Sequence, residues 1–362
     1  MKLKKIIECL ELWAPPIYQE SYDNSGLMVG DRDSVISGCL ISLDCTEKIV
    51  DEAIKKKCNL IISHHPIIFG GIKSVDISHW VGKVIRKAIL NNISIYALHT
   101  NLDNIKDGVN KKICDILNIK NTSFLLPKFG FSKKLEIYIM EKDKELFLKE
   151  IFKSGAGKIG NYRDCSYQSQ GIGTFIPLKN SNPSTGSENM KSEVDEIKLE
   201  IYFDESVERK VKKVIEDYHP YDEPNYFIHE NNIESREVGS GMIGTRKIKF
   251  KALLEDLKNK FNCESIKYTD IIKPEINKIA VCGGSGSFLT DDAIRMGADV
   301  LISSDFKYHD FFEANNQITL IDIGHYESEQ FTKDLIFEFL SKNLINIALH
   351  LSNENTNPIK YY

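Results

Sequence analysis

Apolar and polar positions alternate along the first third of the chain with two different periods, one following the other. "VISGCLISLDCT" (35–46) is a near-continuous apolar run ending in Asp44 and Thr46, and "EKIVDEAIKKK" (47–57) then spaces its apolar residues as a helix does. The pair repeats twice. "CNLIISHHP" (58–66) predicts a buried strand and "HWVGKVIRKAILNN" (79–92) a helix. "ISIYALHTNLDN" (93–104) predicts a third strand and "GVNKKICDILNI" (108–119) a third helix. Strands alternating with helices imply a parallel or mixed sheet with helices on its faces, an α/β fold.

The rhythm changes near Pro127. "KKLEIYIMEK" (133–142) alternates like a half-buried strand, and "KELFLKEIFKSG" (144–155) reads as a helix. A stretch rich in Gly, Asn and Ser (156–191) reads as loop, followed by a strand (195–205), a helix (205–220) and a last strand (225–231). That order fits a small α+β insert of the ferredoxin-like type. "GSGMIGT" (239–245) has the composition of a hinge. Beyond it the strand–helix rhythm resumes, with a helix at 250–261 and a strand entering a glycine turn in "INKIAVCGGSGS" (276–287). A helix (289–297), a strand (298–305), and a strand running into a long helix (318–344) complete it. The expected organisation is an α/β core made of 1–127 and 238–362, interrupted by an insert at 128–237.

Composition narrows the class. A chain of 362 residues is long enough for two domains, and 42% hydrophobic with 27% charged residues is ordinary for a globular protein. The net charge of −5 gives no general attraction for nucleic acid or anionic membranes. No apolar run approaches the roughly 20 residues that span a bilayer. The N-terminus reads as an amphipathic helix, because Glu8 and Glu11 interrupt any signal-peptide core. The eight cysteines are scattered without a CxxC pair, so a reduced, cytoplasmic protein without disulfides is expected.

The chemistry-bearing residues collect at strand ends. In open α/β sheets, ligands sit at the carboxyl edges of the strands. Those edges carry His64 and His65, then His99 and Asp103, then Asp305, and then His325 and Glu329 in "GHYESE". A helix starting at His325 would place it and Glu329 on one side, four residues apart. Imidazoles mixed with carboxylates suit zinc, iron or manganese better than magnesium, and the number of carboxylates allows a bridged pair of ions that activates water. Adjacent histidines on one strand point to opposite faces, so His64 and His65 can share a site only where the strand turns, and Pro66 favours a turn there. His79, His229 and His350 read as surface or core residues, and His219 as a turn residue. His309 stands between these and the cleft. "VCGGSGS" lacks both the Walker ending and the dinucleotide fingerprint, so a tight turn explains it better than a phosphate loop.

Several stretches together resemble one family. "YDNSGLMVGD" (22–31), "SLDCT" (42–46), "ISHHPIIF" (62–69), "LHTNLDN" (98–104), "VCGGSGS" (281–287), "DVLISSDFKYHD" (299–310) and "IDIGHYESE" (321–329) resemble the Nif-three-like family, in order and across nearly the whole chain. Its members often carry the label GTP cyclohydrolase I type 2 homolog. The resemblance implies two similar α/β halves forming one core, with two divalent metal ions between them. The implied ligands are His64, His65, Asp103, His325 and Glu329, with His99 beside them as a proton-transfer or supporting residue. "SGAGKIGNYRDCSYQSQGIGTFIP" (154–177) and "YHPYDEPNYFI" (218–228) resemble the PII-like insert of longer bacterial members. Those members form toroidal hexamers. Ser304 departs from the family's Thr-Gly-Asp at that turn. The implied activity is metal-dependent hydrolysis, nominally of GTP or a related nucleotide. The alternative is a non-enzymatic metal-binding or regulatory ring whose insert senses a small ligand.

Overall fold

The computed structural model describes Met1–Tyr362. Two compact units emerge, one formed by Met1–Pro127 with Glu237–Tyr362 and the other by Lys128–Arg236.

The larger unit contains two sheets. The first orders its strands Gly26–Val29, Ser94–Ala97, Leu60–Ser63, Gly38–Ser42 and Ala348–Leu351. The last four are parallel, and Gly26–Val29 is antiparallel to its neighbour. The three central strands are buried at every position, which is why they read as apolar runs rather than alternating ones. Leu40, Ile61 and Ile95 meet Ile49, Val50 and Ala53 of the helix Glu47–Lys55, and Val84 and Ala88 of the helix Trp80–Leu90. Thr46 caps the first of these helices by accepting from the Ile49 amide.

The second sheet orders Lys267–Tyr268, Thr319–Asp322, Val300–Ser304, Glu275–Ser285, Glu234–Lys249 and Lys120–Phe129. Glu275–Ser285, Val300–Ser304 and Thr319–Asp322 run parallel. In both sheets the parallel strands therefore end on one edge, where the following loops emerge. The sheets are not each built from one half of the sequence. Lys120–Phe129 joins the second sheet, and the C-terminal strand Ala348–Leu351 pairs with Gly38–Ser42 of the first.

Several sequence expectations change here. The strand expected over 93–104 is only Ser94–Ala97, after which the chain turns into a helical turn, Thr100–Asp103. Side-chain capping explains the break, because Asn101 accepts from the His99 amide and Asp23 from the Thr100 amide. The expected hinge at 239–245 lies inside the 16-residue strand Glu234–Lys249 and is buried as far as Gly244. Its glycines serve close packing: a Cβ on Gly239 would lie 2.6 Å from the Phe124 ring. The long helix expected after residue 318 is two helices, His325–Glu329 and Thr332–Asn343.

The smaller unit follows a strand–helix–strand–strand–helix–strand order. Its antiparallel sheet orders Tyr167–Phe175, Ser192–Asp204, Ser132–Met140 and Tyr226–Asn231. One face buries Leu135, Ile137, Ile139, Leu199 and Ile201 against Phe147 and Ile151 of the helix Glu141–Lys153, and Val211 and Ile215 of the helix Glu208–Tyr218. The strand Tyr167–Phe175 falls where composition predicted loop. It is an edge strand with mostly exposed side chains, held by its main-chain pairing, so no apolar alternation marks it. No helix is long and apolar enough to cross a membrane.

Candidate metal centre

His64 and His65 leave the end of Leu60–Ser63 and do not continue it. Both of their amides donate to the carbonyl of Leu43, each at 3.0 Å, and the Ser63 hydroxyl donates to the His65 carbonyl. The backbone has stopped being extended, so the rings no longer project to opposite faces; their centroids lie 4.9 Å apart. His99 precedes the turn Thr100–Asp103, which carries Asp103 at its end. From the other sheet, the helix His325–Glu329 starts directly after Gly324 and puts His325 and Glu329 one turn apart.

The side chains converge in three overlapping groups: His64 with His65 and His99, His65 with His325 and Glu329, and His64 with Asp103 and Glu329. His65 Nε2 lies 2.9 Å and His325 Nε2 3.0 Å from Glu329 Oε2, with 3.3 Å between the two nitrogens. On the other side of the same carboxylate, His64 Nε2 lies 3.7 Å from Glu329 Oε1 and 3.6 Å from Asp103 Oδ1. Each group could hold a metal ion. Ligand atoms at about 2.1 Å from a shared ion stand roughly 3–3.5 Å apart, close to these separations. His64 Nε2 and Asp103 Oδ1 are buried and have no hydrogen-bond partner. Buried polar atoms rarely stay unpaired, and a cation between them would satisfy both. The donor set therefore fits a divalent metal. Gly284 makes room for it, since a Cβ there would lie 2.4 Å from Glu329 Oε1.

Every histidine of the cluster is held from behind. His64 Nδ1 faces the Leu98 carbonyl at 2.7 Å, His65 Nδ1 faces Asp44 at 2.7 Å, His99 Nδ1 faces Asp23 at 2.6 Å, and His325 Nδ1 faces Asp305 at 2.6 Å. Acceptors at Nδ1 fix the proton there and leave Nε2 as the lone-pair nitrogen. Asp44 is itself held by the Thr356 hydroxyl, and Asp23 by the Thr100 hydroxyl and amide. Asp23 and Asp44 had no individual role on the sequence; only their places in motifs or at a strand end pointed to them.

The electrostatics match a site built for positive charge. Burial, then the neighbouring Glu329 carboxylate, pushes Asp103 well above the ordinary range. Burial also pushes Glu329 up, but His325, His64 and His65 around it more than offset this and hold it well below. Burial lowers His64, whereas Asp44 and Glu329 override burial at His65 and raise it to about 9. Burial is likewise outweighed at His325, where Glu329 and Asp305 raise it to about 11. Asp103 thus favours its protonated form, while the charge of Glu329 is balanced by the histidines around it.

The remaining histidines lie elsewhere. His79 and His229 are exposed and His350 half-buried, and buried His219 braces a turn through the Tyr138 carbonyl and the Tyr221 amide. His309 is exposed, packs on Tyr308 and Phe312, and does not line the cleft. The glycine turn of "VCGGSGS" spends its amides internally: Gly283 donates to Asn110 and Gly284 to Ser328, both at 2.9 Å. Ser304 fits its turn because the left-handed residue is Asp305 (φ 60°), and the serine hydroxyl donates to the Gly284 carbonyl.

A family model described as Duf34/NIF3 (NGG1p interacting factor 3) matches residues 1–358. The chain belongs to the DUF34/NIF3 family. A Staphylococcus epidermidis relative named "GTP cyclohydrolase 1 type 2 homolog" is 36% identical over 367 residues, covering 100% of both chains. A Staphylococcus aureus relative with the same name is 34% identical over 366 residues, again covering 100% of both. Among solved structures, a Bacillus cereus protein related to NIF3 superposes with a TM-score of 0.86 at 30% identity, covering 100% of this chain and 99% of that one. A Staphylococcus aureus protein superposes at 0.78 and 32% identity with the same coverage. The mixed α/β architecture is thus that of NIF3-related proteins.

Proposed function

We propose that the chain is a metal-dependent hydrolase with a dinuclear centre held by His64, His65, Asp103, His325 and Glu329. The observation that carries this is the Glu329 carboxylate, whose Oε1 faces the His64–Asp103 group while its Oε2 faces the His65–His325 group. That is the disposition of a bridging ligand. Zinc, iron or manganese suits the mixed donors, and such ions when bound polarise a substrate oxygen and make a nucleophile accessible at neutral pH. His99 moves the proton. Asp23 fixes its Nδ1–H tautomer, so its Nε2 is the basic nitrogen.

The relatives' shared name supports GTP as the nominal substrate to test first. The experiment compares the metal-loaded chain with a chelator-stripped sample on GTP and on a simple phosphodiester. Metal-dependent hydrolysis of at least one is expected. His99→Ala should lower turnover by roughly 10²–10⁴-fold with metal content unchanged, whereas His65→Ala should lose metal and activity together. If the loaded parent hydrolyses neither, the hydrolase assignment fails.

A second reading has its own observation. The smaller unit encloses a cavity of about 830 Å³, lined in part by Tyr138, Glu196, Lys198 and Tyr221. Its strand order and four-stranded sheet support a ferredoxin-like, PII-like insert. In this reading the chain forms a hexameric ring whose insert senses a small ligand, and the metals are structural.

A further inference from the structure

We propose that the metal cleft recognises a planar, unphosphorylated heteroaromatic ring, of the nucleobase or nucleoside kind, rather than a polyphosphate. The inference deepens the reading of the site as a hydrolytic centre. It rests on which side chains surround the cluster and which are missing. The cavity over the cluster measures about 380 Å³, near the small end of the roughly 300–1,000 Å³ typical of ligand pockets. Three large aromatics line it while staying open to solvent: Tyr22 is 63% exposed, Phe69 49% and Phe288 58%. They come from three separate segments, so no single loop explains their meeting. The Tyr22 and Phe69 rings are 6.2 Å apart and inclined at 45°, and Phe69 stands edge-on to His99 at 5.9 Å. A flat ring seated against Phe69 would lie beside His99 and the buried donors. Aromatic faces take any planar base, with little dependence on its edge.

The lining is also poor in groups that bind anions. No lysine or arginine lines the cavity, while Glu20, Asp103 and Glu329 do. Phosphate recognition usually relies on arginine, lysine or free backbone amides. Two amides of the glycine turn, those of Gly283 and Gly284, are already committed to Asn110 and Ser328. Beyond the metals and the carboxylates that would hold them, a triphosphate tail would meet Glu20 and no cationic side chain.

The test separates ring from phosphate. The full-length, metal-loaded chain is titrated by calorimetry with guanosine, guanosine monophosphate and ribose 5-phosphate, and metal content is measured on every sample. Guanosine and its monophosphate should bind within about threefold of each other, and ribose 5-phosphate at least about tenfold more weakly, since each stacked base contributes on that order. The double variant Tyr22→Ala with Phe69→Ala should lose guanosine binding by about tenfold or more at unchanged metal content. Ribose 5-phosphate binding as tightly as guanosine, no binding of any probe, or indifference to the double variant would each overturn the proposal. Binding needs no turnover, so the two proposals fail separately. A chain that binds guanosine and hydrolyses nothing sinks the hydrolase. A chain that hydrolyses phosphodiesters and prefers ribose 5-phosphate sinks the ring preference.

Discussion

On the open sheet face of the insert, Lys198 lies 3.0 Å from Glu136 and 2.8 Å from Glu200, with Lys134 3.5 Å from Glu200. In the cleft of the larger unit, the ion pairs of Asp103 and Glu329 are all with histidines. The insert's carboxylates are answered by lysines of the same or the neighbouring strand, on a partly exposed face where such pairs contribute little to stability. The cleft's carboxylates, Glu329 buried and Asp103 mostly so, face imidazoles instead of fixed cations, and charge taken out of water needs a good partner. The difference separates a solvated surface from a His/carboxylate cluster that could hold a metal ion.

Removing the shared carboxylate should break that contrast most severely. Glu329→Gln keeps the shape but removes the charge and a bridging oxygen, so metal affinity should fall by more than about 100-fold, beyond the cost of losing a supporting residue. Competition with a chromogenic chelator measures it, and an unchanged affinity would mean that Glu329 is not the bridge. Asp44→Asn acts one step behind, through the orientation of His65. A loss of about 10–100-fold is expected in the same assay.

The insert should respond in stability and not in metal. Lys133 is largely buried between Glu205 (3.0 Å) and Glu208 (2.6 Å). Lys133→Met should destabilise the insert by about 1–2 kcal/mol in urea unfolding, between the costs of exposed and fully buried pairs, with metal content unaltered. The smallest effect concerns His219. Burial lowers its pKa, so the unfolded chain binds the proton more readily than the folded one. Stability is complete above the ordinary histidine range and declines as pH falls through it. The urea midpoint of the insert transition should drop between pH 7 and pH 5, and His219→Gln should flatten that drop. A parent midpoint that is level over this interval contradicts the assignment.

Much of this contrast was readable from the residues alone, and the physical reasons differ by element. Leu60–Ser63 and Val300–Ser304 are buried on both faces, so continuous apolar runs announced them. The insert's Ser132–Met140 alternates between core and solvent, and so did its sequence. Tyr167–Phe175 and Ala348–Leu351 are edge strands with little buried side-chain surface, so nothing in their pattern marked them. The stretch 239–245 misled because its glycines lie inside a paired strand, where Gly239 and Gly244 answer to close packing and Gly241 to a left-handed backbone (φ 60°). At the site, His64, His65, Asp103, His325 and Glu329 were noticeable as strand-end residues of ligating type. The roles of Asp23, Asp44 and Asp305 were not, because each depends on a histidine brought close only by folding: His99 from 76 residues away, His65 from 21 and His325 from 20.

A dinuclear cleft, as proposed, should hold its ions in the protein as purified. Elemental analysis of the full-length protein, purified without chelator or added metal, tests it most directly. Two divalent transition-metal ions per chain are expected. Protein that is folded and free of transition metal would contradict it.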